Sequence, residues 1–222
     1  MMGFNKSTGR KEAGVMENTE FFGTEKISKI LLKLAPPVML AQLIQALYNI
    51  VDSLFVGRYS ESGLTALSII YPIQLLMIAL AVGTGVGMNT IMAAKLGVGK
   101  DKEADAYAGI GTPLAVGIWF LFAVIGWFIM PAYAKMSTES VDVIKDVVIY
   151  GRIVCVVSIG LFLESIWTKV LQANGDMKTP MIAQIMGAVT NIILDPIFIF
   201  GFNMGVKGAA LATILSQAIS CV

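Results

Sequence analysis

Three carboxylates stand inside apolar stretches of this chain: Asp52, Glu164 and Asp195. A carboxylate at mid-bilayer costs about 2.5–3.5 kcal/mol on insertion scales, so it persists only where a partner, a cation or a proton compensates it. Tyr48 and Asp52 are four residues apart, as are Asn191 and Asp195, so each pair shares one helix face. Pro196 follows Asp195 and has no N–H, which leaves the Ile192 carbonyl without its helical donor. Asp52, Asp195 and Thr213 each lie about six residues from the outer end of an apolar run, roughly 9 Å below that boundary at about 1.5 Å per residue. If the three helices pack together, Asp52, Asn191, Asp195, Thr213 and the freed carbonyl make an oxygen set. Such a set suits a hard cation such as Na⁺, or a proton shared between two carboxylates. Glu164 lies at another depth, nearer the opposite membrane face, with Lys169 as its expected partner and a secondary or structural role.

The elements that position these residues follow from composition. Of 222 residues, 56% are hydrophobic and only 14% are charged, and the mean hydropathy is +0.77. A soluble chain carries about 25% charged residues, so this one is read as an all-α integral membrane protein. The net charge of +1 gives no basis for nucleic-acid binding. With no histidine and no visible nucleophile–base pair, an enzyme is not indicated. Cys155 and Cys221 sit in apolar stretches, which argues against a disulfide framework or a thiolate metal site. Gly83, Gly85 and Gly87 resemble a phosphate loop only superficially, because no strand precedes them; close helix packing is the better reading.

Runs of roughly 20 apolar residues mark membrane spans. They predict six, at about 30–57, 64–94, 107–133, 147–171, 180–200 and 206–222, with the first broken near its start by Pro36 and Pro37. Residues 1–25 read as a polar, disordered tail and residues 26–222 as one transmembrane lobe. Of the 16 Lys and Arg residues, 11 fall on the side of the tail and the even-numbered loops and 5 on the other. By the positive-inside rule the N-terminus is cytoplasmic. Asn174, Gly175 and Asp176 have turn chemistry.

Four stretches carry a family resemblance. Tyr48-Asn49-Ile50-Val51-Asp52-Ser53-Leu54-Phe55-Val56-Gly57-Arg58 resembles the first-helix motif of MATE (multidrug and toxic compound extrusion) transporters. Leu171 to Met181 resembles their loop between helices four and five, Asn191 to Pro196 their fifth helix, and Gly208 to Thr213 the start of their sixth. The prokaryotic, DinF-like branch is the one resembled. The resemblance implies a twelve-helix, two-lobe fold of which this chain is the N-terminal half, the second lobe being absent. It implies an inner (plasma) membrane protein that exports cationic and amphipathic drugs by antiport with Na⁺ or H⁺, with no cofactor beyond that ion. It implies an ion site at Asp52, Asn191, Asp195 and Thr213, with Tyr48 nearby, a helix-six carbonyl at Ala209, and a bend at Pro37. The alternatives are a lipid-linked oligosaccharide flippase of related fold, or a six-helix fragment that does not transport. The flippase should carry cavity cations for pyrophosphate, whereas Lys and Arg here sit mostly at membrane edges.

Overall fold

The computed structural model describes residues 26–221, and the tail expected over 1–25 lies outside the described residues. The described chain is helical almost throughout: α1 (Ile27–Tyr59), α2 (Glu61–Gly97), α3 (Asp101–Ser137), α4 (Val141–Val157), α5 (Ile159–Ala173), α6 (Lys178–Pro196), a π-helical turn (Ile197–Gly201) and α7 (Val206–Ser220). Four elements are long and apolar enough to cross a membrane, and α4 with α5 forms a fifth, bent by 44°. At 15 residues α7 is shorter than a full crossing. The six hydrophobic elements stand in the expected order.

Hydropathy located the buried lengths but not the helix ends. α2 and α3 have 37 residues each, roughly 55 Å at about 1.5 Å per residue, well beyond a hydrocarbon core of about 30 Å. Their polar ends stay helical because local chemistry supports them. Ser60, the single extended residue between α1 and α2, accepts the Gly63 N–H on its side chain at 3.2 Å. Asp101 and Glu103 occupy the first turn of α3, where the helix dipole favours negative charge. Glu103 also pairs with Lys95 at 2.6 Å and Lys100 at 2.8 Å across the α2–α3 turn.

Two expectations are corrected. α1 runs through Pro36 and Pro37 as one helix of 33 residues rather than breaking there. The two prolines are adjacent, so their missing N–H groups weaken a single turn, and the helix has formed before they are reached. The fourth span, expected to be continuous over 147–171, is broken at Ser158. Trp119 on α3 donates its indole N–H to the Val156 carbonyl at 3.0 Å, satisfying a group that the break frees.

α2 forms the centre of the bundle, packing on α3, α4 and α5, while α1 packs chiefly on α6. Among the described residues of α1 only Ala41, Asp52 and Val56 are buried. α6 and α7 approach closely enough that a Cβ on Gly187 would lie 3.0 Å from the Ser216 carbonyl. Of the glycine triplet, Gly85 packs against α5, its Cβ position 3.0 Å from the Ser165 carbonyl, whereas Gly83 and Gly87 face open space.

A Cβ on Gly208 would meet the Phe198 backbone of the π turn at 2.7 Å, with no flexible side chain to yield. Gly208→Ala should therefore lower thermal stability, by about 1–3 kcal/mol for overpacking, read as an earlier melting transition in detergent. Gly83→Ala, with nothing within 4 Å, should melt no earlier than the parent; equal melting of both variants would refute the packing assignment.

Candidate functional site

The C-terminal ends of α1 and α6 and the N-terminal end of α7 meet around the π turn, and local sequence dictates how. Pro196 cannot donate to the Ile192 carbonyl, so the regular ladder stops there. The chain widens, with the Phe202 N–H reaching the Ile197 carbonyl at 2.9 Å and the Met204 N–H the Phe198 carbonyl at 3.1 Å. Phe200, inside that turn, sets its ring edge-on to Phe55 at 6.3 Å and to Tyr59 at 6.0 Å. The Tyr59 hydroxyl donates to Asn203 Oδ1 at 2.9 Å, and Asn203 sits at φ 53°. Gly205, at φ 55°, lies so close to the Tyr59 ring that a Cβ would fall 2.6 Å from it. This clasp holds α1 against α6 one turn from Asp52 and one turn from Asp195.

The sequence-derived residues converge. Asp52, Asn191, Asp195 and Thr213 are 7%, 0%, 0% and 8% exposed. The Asp52 and Asp195 carboxyl groups face each other closely enough to hydrogen-bond directly when one carries a proton. Asn191 Nδ2 approaches Asp195 Oδ1 at 3.5 Å, a long contact. Thr213 Oγ1 donates to the Ala209 carbonyl at 3.0 Å, so that carbonyl is already engaged by the neighbouring hydroxyl. Tyr48, one turn before Asp52, lies beside Gln45 and within electrostatic reach of both aspartates.

Three acceptor oxygens at this junction are buried without a hydrogen-bond partner: Asp52 Oδ1, Asn191 Oδ1 and Asp195 Oδ2. An unmet buried acceptor costs about 1–3 kcal/mol, more when charged. All three ask for the same thing, a positive charge or a proton. Among the described residues no group of three or more His, Cys, Asp or Glu side chains is placed to hold a metal. Two carboxylates with an amide and a hydroxyl form an all-oxygen set suited to an alkali cation or a proton, not to a transition metal.

Asp52 and Thr213 also line a cavity of about 360 Å³ shared with Gln45, Asn49, Gln74 and Tyr150. The Gln74 amide donates to the buried Tyr150 hydroxyl at 3.3 Å. Gln45, Gln74, Tyr150 and Gln217 escape a reading that weighs only charges. The available signal is an amide inside an apolar run, since an amide also needs partners in lipid.

Glu164 is elsewhere, as its depth predicts, but its partner differs. Oε1 accepts Gln184 Nε2 at 2.9 Å and Thr168 Oγ1 at 3.4 Å, while Lys169 turns its ammonium to Gln172 at 2.9 Å. Five residues on, Lys169 sits roughly 140° round the helix from Glu164, whereas Thr168 is on the same face. Asp176 has its turn role, its Oδ1 accepting the Lys178 and Thr179 N–H groups at 3.1 Å each.

An all-helical, multi-pass membrane lobe with a buried oxygen site at its rim is the class that fold and site define. The MatE family model matches residues 37–197. The chain is 25% identical over 201 residues to the FAD transporter of Shewanella oneidensis, covering 87% of this chain and 44% of the relative. It is 29% identical over 208 residues to the multidrug export protein MepA of Staphylococcus haemolyticus, covering 92% and 45%. Its fold matches an outward-facing MATE-family multidrug resistance transporter of the MOP superfamily with a TM-score of 0.84 at 26% identity, covering 94% of this chain and 45% of that one. The chain belongs to the MATE family, and it spans about half the length of the relatives it matches. The expected fold, one lobe of a two-lobe transporter, stands on these matches.

Replacing one aspartate by asparagine supplies a donor and removes a like charge. In alkaline, sodium-free buffer, Asp52→Asn should melt later than the parent, by an amount comparable to one charged hydrogen bond, about 1.5–3 kcal/mol. A lower melting temperature would mean that the two carboxylates do not oppose each other.

Proposed function

We propose that this chain is the ion-coupling lobe of a multidrug efflux antiporter in the inner (plasma) membrane, exchanging Na⁺ or H⁺ for cationic and amphipathic compounds. The observation that carries this reading is the trio of unpartnered buried acceptors, Asp52 Oδ1, Asn191 Oδ1 and Asp195 Oδ2. A cation or proton arriving there neutralises the facing carboxylates. That favours the arrangement in which α1 lies against α6 and α7. When the ion leaves, repulsion favours separation. Because α1 also walls the cavity, through Gln45, Tyr48, Asn49 and Asp52, ion occupancy and cavity shape are linked, which is the coupling free energy an antiporter needs. Asn191 and Thr213 supply further oxygens, the Ala209 carbonyl orients the Thr213 hydroxyl, and Tyr48 and Gln45 border the pair. Pro37 and Pro196 place weak points on the two helices that bear the carboxylates.

Cavity chemistry supports a drug rather than a lipid pyrophosphate as cargo. The larger cavity is walled by amides, hydroxyls, apolar side chains and one carboxylate, with no lysine or arginine among its described residues. That wall attracts cations and offers a pyrophosphate no cationic partner. The multidrug export protein among the relatives is compatible with amphipathic cargo, whereas FAD, named for the Shewanella relative, is itself an anionic pyrophosphate and favours the other cargo class. The second lobe, the bilayer and the drug are the partners implied, and the tail and the α2–α3 and α5–α6 turns face the cytoplasm.

Asp52→Asn and Asp195→Asn in the full-length protein should each reduce ethidium efflux from vesicles to the background rate while the protein still reaches the membrane. Imposing Na⁺ and pH gradients separately identifies the ion. Parental efflux by both variants would sink the proposal.

A further inference from the structure

Among the described residues, Glu164 is the intramembrane carboxylate that the proposed exchange does not use. It lines two small cavities, of about 100 Å³ and about 40 Å³. The smaller also touches Tyr48 and Gln217, which line the large cavity beside Asp52, and Gln45 lines all three. A row of polar spaces thus runs from the outer aspartates along α1 to Glu164. Along that row the Gln217 Oε1 is a buried acceptor with no partner.

The hydrogen bonds to Glu164 come only from neutral groups, with the Lys169 ammonium acting on it through space and not by contact. Both of its hydrogen bonds, from Gln184 and Thr168, fall on Oε1. The nearest cation, Lys169, is engaged by Gln172. The titratable groups facing Glu164 are Tyr48 from α1, Lys169 from its own helix and Cys221 beyond α7, with Asp52 and Asp195 further along the row. A carboxylate in a membrane interior with only neutral donors calls for a positive species. Cavities of this size hold a few waters and exclude a polycyclic drug.

We propose that Glu164 is a second cation-binding group of this lobe, on the far side of Gln45 from the Asp52–Asp195 site, and that its ligand is a proton or a small monovalent cation in transit. This rests on the reading of the lobe as ion-coupled. Gln184 and Thr168 orient the carboxylate, and Gln45 and Gln217 supply polar stepping points between the two acidic sites.

The test is site-resolved labelling of the full-length protein in lipid vesicles with dicyclohexylcarbodiimide, an apolar reagent that adds to protonated membrane carboxyls, followed by peptide mass spectrometry. Glu164 should label in acidic, sodium-free buffer, and its adduct should fall several-fold in alkaline buffer. If the site also takes Na⁺, the adduct falls several-fold when sodium replaces choline at fixed pH, which separates the two ligands. Absence of a Glu164 adduct in samples where Asp52 is labelled overturns the inference alone. So does a Glu164 adduct indifferent to both pH and sodium. If Glu164 responds while neither Asp52 nor Asp195 does, the outer-pair reading fails, and the path built on it fails too.

Discussion

A bilayer gives a buried polar oxygen no donor, and this lobe leaves two carboxylate oxygens and one amide oxygen buried at one junction. Asp52 Oδ1, Asn191 Oδ1 and Asp195 Oδ2 point into the same protein interior without partners. Folding alone gives them no hydrogen-bond partner, and the proposed ion or proton would supply one. Ordinary buried polar groups are matched by permanent hydrogen bonds, as the Gln74–Tyr150 and Trp119–Val156 contacts show here. The contrast within one molecule separates polar groups satisfied within the helix bundle from those left without a partner.

The position of α1 decides what that readiness can do. Only three of its described residues are buried, and Asp52 is one of them. Two full charges about 4 Å apart at an effective dielectric near 20 interact by about 4 kcal/mol. Burying one Val or Leu is worth about 1.5–3 kcal/mol in water, and less between helices already in lipid, where association relies on packing. Neutralising or restoring charge at the pair is therefore comparable to everything that α1's buried side chains contribute. The clasp of Phe55, Tyr59, Phe200 and Asn203 fixes the C-terminal end, and the prolines leave a weak turn toward the other end. A helix pinned at one end, soft near the other and held by few buried contacts is suited to move when its one buried charge changes state.

Much of this was legible in the sequence because membrane insertion makes carboxylates expensive and so informative. Counting residues from span ends placed Asp52, Asp195 and Thr213 at one level, and four-residue spacing put Asn191 beside Asp195. What was not legible depends on side chains whose cost in lipid is moderate. Gln45, Gln184 and Gln217 read as ordinary polar substitutions until their neighbours are known. The break at Ser158 has no proline to announce it and becomes visible only through Trp119, some forty residues earlier in the chain. Helix ends extended past the apolar runs because capping and charge at Ser60, Asp101 and Glu103 govern helicity in water, and hydropathy does not report on those.

The same solvation argument bears on what lies beyond this lobe. Asn49 and Ser68 are exposed, and with Ser53, Tyr71 and Gln74 they border the large cavity. The two serine hydroxyls are satisfied within their own helices, through Asn49 O at 2.9 Å and Leu64 O at 3.0 Å. The Asn49 amide and the Tyr71 ring edge are not met that way. Such a wall cannot lie against acyl chains, so it must border water or protein. Elsewhere the lobe exposes Leu43, Leu47, Ile50 and Leu54 on the same helix, a face that lipid solvates well. α1 therefore divides two environments along its length, one apolar and one wet. A second lobe, as the relatives' greater length would allow, would enclose the wet side without disturbing the other, and α1, which bears Asp52, would then stand at the seam.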